Sequence, residues 1–303
     1  MKGGMMKNFI GSRALPEFIY HAPDTMDEVT DLLENMDKPF RVMAGCTDFI
    51  PALRTGRWEL SEGTQVIDLK RIKALDYIEK QGDTVRIGSC ARLSGILESD
   101  LIRQHAPVLA EAVGRMASWQ IRNAATIGGN ICMSSPAADT APPLLVMDAQ
   151  VTLTGPSGRQ EIRLEDFFQG PGRNVLEKKQ ILTEISFPAI EENGTSAFLK
   201  IGNRTAVIIS IVSAAARLAI NNGVCTHPKI AMGSVAPTPL RMKRAEKFLE
   251  NKPLDTQVIE DCADIVSEDI SPITDLRASG EYRRDVGRTL VKRAITKCKE
   301  RHQ

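Results

Sequence analysis

The chain has 303 residues, 42% of them hydrophobic, which is enough for one large or two medium domains with a sizeable core. Its 39 Lys and Arg against 38 Asp and Glu leave a net charge of +1, so no global field draws in nucleic acid or an anionic membrane surface. No apolar run approaches the roughly 20 residues of a membrane span, and the opening residues lack the apolar segment of a secretory leader, so a cytoplasmic protein is expected.

In chain order, "EFIYHAP" reads as a short strand and "DTMDEVTDLLENM" as a helix. Thr25 and Glu28 stand at capping-box spacing there, with Met26, Val29, Leu32, Leu33 and Met36 on one face. "RVMAG" is a strand that leads through a glycine into a short helix, "TDFIPALRTG". "QVIDL" is a further strand, and "DYIEKQGDTVRIGS" and "VTLTGPSGRQEIRL" are strands with glycine-containing turns. Between the last two lies "LIRQHAPVLAEAVGRMAS", a helix that Pro107 should kink or restart. The texture changes near residue 195. "AFLKIGN" and two strands around Asn221-Asn222-Gly223 are followed by three helices, the last charged with an apolar stripe of Val286, Leu290 and Ile295. "FPAIEENGT", residues 187 to 195, reads as the linker, and its Asn193-Gly194-Thr195 sequon should be inert in a cytoplasmic protein.

The six cysteines stand singly, with no C-x-x-C pair, and the four histidines do not cluster. They read as reduced thiols, with no locally arranged ligands for zinc or an iron-sulfur cluster. Two glycine loops carry the chemistry instead. In "VMAGCTDF", residues 42 to 49, a strand delivers Gly45 with Thr47 and Asp48 at a helix start, where free backbone N–H groups can hold a phosphate. An ordinary strand-to-helix turn with an N-cap fits the same residues. In "TIGGN", Gly128 and Gly129 allow close approach of a ligand, flanked by Thr126 and Asn130, although double glycine is also common in plain turns. Together, two such loops some 80 residues apart suit a long polyphosphate-bearing ligand between two subdomains, with Asp139 placed to accept hydrogen bonds from it or to cap the next helix. The absence of G-x-G-x-x-G after the first strand, and of a Walker sequence, disfavours Rossmann and P-loop sites. Arg122 suits either a phosphate or nearby carbonyls, and Trp119 reads as core.

At these residues the chain resembles the FAD-binding medium subunits of the molybdenum hydroxylases. The resemblance runs through "AGCTDFIPALRTG", "IGSCARLSGI", "MASWQIRNAATIGGNICMSSPAADTAPPLLVMDAQV", "ILTEISFP", "FLKIGNR", "IVSAAARL", "GSVAPTPLR" and "YRRDVGRTL" in order. It implies an α+β fold: a two-subdomain FAD-binding domain of the vanillyl-alcohol-oxidase type over residues 1–190 (subdomains about 15–65 and 66–187). A C-terminal α+β domain with a small antiparallel sheet over 195–303 should follow. By position it implies FAD contacts from Val42, Met43, Ala44, Gly45, Cys46, Thr47, Asp48 and Phe49, from Thr126, Ile127, Gly128, Gly129 and Asn130, and from Met116, Asp139, Leu176 and Lys200. Cys46 departs from the pattern, since a second glycine is usual there, and it requires either a negative φ or tolerated strain. The implied function is electron transfer, with 2Fe-2S clusters and molybdopterin on partner subunits and an acceptor such as NAD+. A self-sufficient flavin oxidase or dehydrogenase is the alternative.

Overall fold

The computed structural model describes residues 13–204 and 209–302; the first 12 residues, read above for a leader, lie outside the described residues. The first layer holds β1 (Ile19–His21), α1 (Met26–Glu34), β2 (Phe40–Met43), α2 (Phe49–Arg54) and β3 (Gln65–Asp68). Its strands form a parallel sheet in the order β1-β3-β2. Thr25 caps α1 by accepting from the Glu28 N–H at 3.2 Å, but the Glu28 carboxylate reaches the N–H of Asp24 instead of closing a reciprocal box on Thr25. Val29, Leu33 and Met36 then bury against Ile67, Leu69 and Ile72.

The middle layer is a five-stranded antiparallel sheet with helices packed against it. It begins with the hairpin of β4 (Ile78–Gln81) and β5 (Thr84–Gly88), followed by α3 (Leu93–Glu98), α4 (Asp100–His105) and α5 (Pro107–Gly114). Pro107 restarts the helix at its first position, where a missing N–H costs nothing. Then come α6 (Trp119–Ala124), α7 (Ile127–Cys132), α8 (Ala141–Val146), the hairpin of β6 (Gln150–Gly155) and β7 (Gly158–Arg163), α9 (Leu164–Phe167), a small ribbon of β8 (Phe168–Gly170) and β9 (Arg173–Asn174), and β10 (Ile181–Pro188). The strand order is β4-β5-β10-β6-β7, so β10 is central. Its residues are buried nearly throughout, which erases the alternation that marks a half-exposed strand.

The last layer is a meander of β11 (Gly194–Ile201), β12 (Val212–Asn221), β13 (Val224–Gly233) and β14 (Leu240–Arg241), covered by α10 (Lys243–Leu249), α11 (Thr256–Asp269) and α12 (Gly280–His302). Asn222 (φ 51°) and Gly223 (φ 78°) turn β12 into β13, a left-handed pair suited to a tight hairpin. Leu290 and Ile295 bury as the stripe requires, with Val286 packed partly against them.

Three expectations change. Phe187 and Pro188 belong to β10 and Gly194 to β11, so the segment outside strands shortens to residues 189–193. The glycine pair 128–129 lies inside a helix, not in a loop. Trp119 is 55% exposed rather than core, because α6 has no buried residue at all.

Candidate functional site

The two glycine segments meet across one cleft of about 560 Å³. One wall is the whole stretch from Val42 through Met43, Ala44, Gly45, Cys46, Thr47 and Asp48 to Phe49; the other includes Thr126, Gly129 and Asn130. Gly45 is required by packing: a Cβ there would run into the backbone of Ala124 and Ala125, just before α7. That close approach of two backbones sets the width of the cleft. Cys46 adopts the left-handed φ of +59°, and its thiol donates to the Ala44 carbonyl at 3.3 Å. Burial pushes this thiol up, away from a reactive thiolate. No described residue accepts a hydrogen bond from the backbone N–H of Cys46, Thr47 or Asp48. Asp48 precedes α2 without capping it, and its carboxylate lies 3.8 Å from Arg57.

The second wall works differently. Thr126 caps α7 by accepting from the Gly129 N–H at 3.2 Å, while the N–H groups of Ile127 and Gly128 donate to the carbonyls of Ala91 and Ser89. The N–H groups of Ile127, Gly128 and Gly129 are therefore already satisfied from within the protein. Gly128 is glycine because Ser89 fills the space of a Cβ, at 2.6 Å. Gly129 is exposed and presents a bare surface to the cleft.

Other residues implied by resemblance stand off the cleft. Ile127 and Gly128 lie behind its wall, and Met116 and Leu176 pack into or against the core of the middle layer. Asp139 and Lys200 form a buried ion pair, Oδ2 to Nζ 2.6 Å, and Ser210 donates to the other Asp139 oxygen at 2.5 Å. Burial pushes the Asp139 carboxyl up, opposed by the Lys200 ammonium and the Ser210 hydroxyl. Asp139 does not cap the following helix; Thr140 occupies that position. Arg122 donates to the carbonyls of Met116 (2.5 Å) and Ala117 (3.1 Å), which settles its alternatives in favour of carbonyls.

Lining residues beyond those expected from the sequence are Arg41, Arg57, Trp58 and Glu59 on the first side, and Ala125, Cys132, Met133 and Gly172 on the second. Arg57 lies over the Trp58 ring at 5.7 Å. The two arginines flanking the first loop were a readable signal, since cations beside a bare loop complement an anion. Gly172 was not, because it arrives from a distant turn whose N–H donates to Ser134. All six cysteines are free, and among the described residues no cluster of metal-ligating side chains occurs. No described helix is long and apolar enough to cross a membrane.

Comparison with known proteins bears directly on this cleft. The family described as "FAD binding domain in molybdopterin dehydrogenase" matches residues 16–190, and "CO dehydrogenase flavoprotein C-terminal domain" matches 197–298. The chain is 32% identical over 280 residues to the xanthine dehydrogenase FAD-binding subunit of Escherichia coli, covering 92% of this chain and 95% of that one. It is 33% identical over 276 residues to the nicotinate dehydrogenase FAD-subunit of Eubacterium barkeri, covering 89% and 92%. In three dimensions it superposes on a chain of carbon monoxide dehydrogenase from Hydrogenophaga pseudoflava with a TM-score of 0.90 and 29% identity, over 95% of this chain and 99% of that one. The chain therefore belongs to the FAD-binding medium subunits of the molybdenum hydroxylase family, the oxidoreductases of the xanthine and carbon monoxide dehydrogenase type.

Proposed function

We propose that this chain is the FAD-carrying electron-transfer subunit of a cytoplasmic molybdenum-containing hydroxylase. Electrons reach it from 2Fe-2S clusters on one partner subunit, after oxidation of an organic substrate at a molybdopterin subunit, and leave it toward an acceptor such as NAD+. Residues 1–190 serve as the FAD-binding domain and 195–303 as the C-terminal domain. The observation that carries this reading is the convergence of residues 42–49 with Thr126, Gly129 and Asn130 on one cleft, in a member of a family of FAD subunits.

The residues present fit the cofactor. The N–H groups of Cys46, Thr47 and Asp48 are the donors for a diphosphate, Gly129 leaves room for it, and Arg41 and Arg57 balance its charge. A bound flavin supplies a group that accepts and donates electrons singly or in pairs. The protein's own part is to hold it by these donors and to shield it between two walls. Asp139, Lys200 and Ser210 form a rigid charged cluster beyond the second wall, which braces the helix carrying Asn130 through Thr140.

The test uses the isolated chain with its partners shown to be absent. It should retain FAD and bleach with dithionite, yet remain unreduced by purines, aldehydes and N-heterocycles. Rapid bleaching by one of those compounds would overturn the subunit reading in favour of a self-sufficient flavoenzyme.

A further inference from the structure

The second wall of the cleft has little backbone left to offer a ligand. The N–H groups of Ile127, Gly128, Gly129 and Asn130 donate to Ala91, Ser89 and Thr126 within the protein. The side chain of Asn130, half-exposed and lining the cleft, is a further donor on this wall. Its orientation is decided elsewhere. Thr140, fully buried, donates its hydroxyl to the Asn130 Oδ1 at 2.6 Å. A carboxamide is planar, with its oxygen and its NH2 on opposite sides of Cγ, so anchoring Oδ1 on Thr140 turns the NH2 away from Thr140. No described residue accepts from that NH2. Thr140 also stands at the N-cap position of α8, but the second and third helix residues there are Pro142 and Pro143, which have no N–H for its hydroxyl to bond. Its hydroxyl serves Asn130 instead.

We propose that Thr140 is a positioning residue for cofactor binding: it holds the Asn130 amide with its NH2 donating to an oxygen of the FAD diphosphate. This rests on the FAD reading of the cleft. The sign of the interaction depends on Thr140, since the opposite amide orientation would aim lone pairs at an anion. The opposite wall supplies backbone N–H groups to the same diphosphate, so the two walls clamp it by different chemistry.

The experiment measures FAD affinity of the apoprotein of the full chain, by flavin fluorescence, for Thr140→Val, Thr140→Ser, Asn130→Ala and the double variant Asn130→Ala/Thr140→Val. Asn130→Ala and Thr140→Val should each weaken FAD by about threefold to tenfold, the range for one net hydrogen bond. Thr140→Ser should bind like the unaltered chain, and the double variant no worse than Asn130→Ala. An undiminished affinity in Thr140→Val, or the same further loss when it is added to Asn130→Ala, would overturn the proposal. Should Thr140→Val fail to fold, Asn130→Asp replaces it: with an oxygen in place of the NH2, this variant should bind more weakly than Asn130→Ala, and equal or tighter binding overturns the proposal. Gly129→Asp separates the two readings. If it abolishes FAD binding while Asn130→Ala does not weaken it, the cleft holds FAD and the Thr140 inference fails; if neither variant affects FAD, the cleft reading fails and takes the inference with it.

Discussion

Cys46 carries a side chain at a φ that favours glycine, on the wall of the cleft where the family pattern has a second glycine. A left-handed conformation costs a non-glycine residue about 1–2 kcal/mol, partly offset by the lower chain entropy that it loses on folding. Cys46→Gly should therefore stabilise the chain by about 0.5–1 kcal/mol in urea unfolding and keep its flavin content. Gly129 answers to the opposite logic. An aspartate there lies in the first turn of α7, where negative charge and a better helix former suit the fold, and its Cβ would meet only the end of Thr126 at 3.0 Å. Gly129→Asp should lose more than about tenfold in retained flavin, by charge repulsion of a diphosphate, with the melting temperature of the apoprotein unchanged. Asp139 is different again, because both of its oxygens are engaged inside the protein. Asp139→Ala should lower stability by about 3–5 kcal/mol, the cost of breaking a buried pair, to the same extent with and without FAD in thermal unfolding. A loss confined to the FAD-dependent increment would show instead that Asp139 contacts the cofactor.

Among elements, α5 and α12 are far apart in sequence and meet at one carboxylate. Glu111 of α5 accepts from the Phe198 N–H of β11 at 2.9 Å and pairs with Lys297 and Arg301 of α12. Burial alone would raise its pKa, but Arg301, the Phe198 N–H and Lys297 together hold it below the ordinary carboxylate value. A folded value below the unfolded one, about 4.3, means that the tie stabilises fully above that pH and is lost as pH falls through the folded value. Glu111→Gln should therefore melt lower than the unaltered chain near neutral pH, by about 1–3 kcal/mol, and the two should converge in strong acid. Melting curves across pH check this. Most of these elements were readable in advance, since Val29, Leu33, Leu290 and Ile295 repeat at helical spacing. β10 was not, because a strand buried on both faces has no alternation to see, and α6 to α8 were not, because six-residue helices are too short to show a period and α7 and α8 also carry paired glycines or prolines.

In the whole molecule, Arg241 joins the last layer to the middle one. Its guanidinium, almost fully buried, pairs with Glu246 and Asp148 and donates to the Leu145 carbonyl at the end of α8. Burial opposes its charge, and the Glu246 and Asp148 carboxylates more than compensate, which raises its pKa. Removing it leaves the mostly buried Glu246 carboxylate without its cation at a layer boundary, while Asp148, more exposed, keeps Lys229. Arg241→Leu should destabilise by about 3–5 kcal/mol and broaden unfolding toward two transitions, one for each side of the boundary, as seen by calorimetry.

The sequence by itself determined the family and with it the class of ligand, because the resemblance is carried by segments such as residues 42–49 and 120–143, each a run of adjacent residues that needs no folded contact to be read. It also determined the helices and hairpins with strong periodicity. Only the tertiary structure decided which glycines face a ligand: Gly128 and Gly129 are neighbours with identical chemistry, yet one is filled by Ser89 and the other opens on the cleft. The same holds for Asp139, whose partners Lys200 and Ser210 are 61 and 71 residues away, and for Asn130, whose amide is set by Thr140. Such pairings depend on where the chain returns in space, and no spacing along it encodes that return.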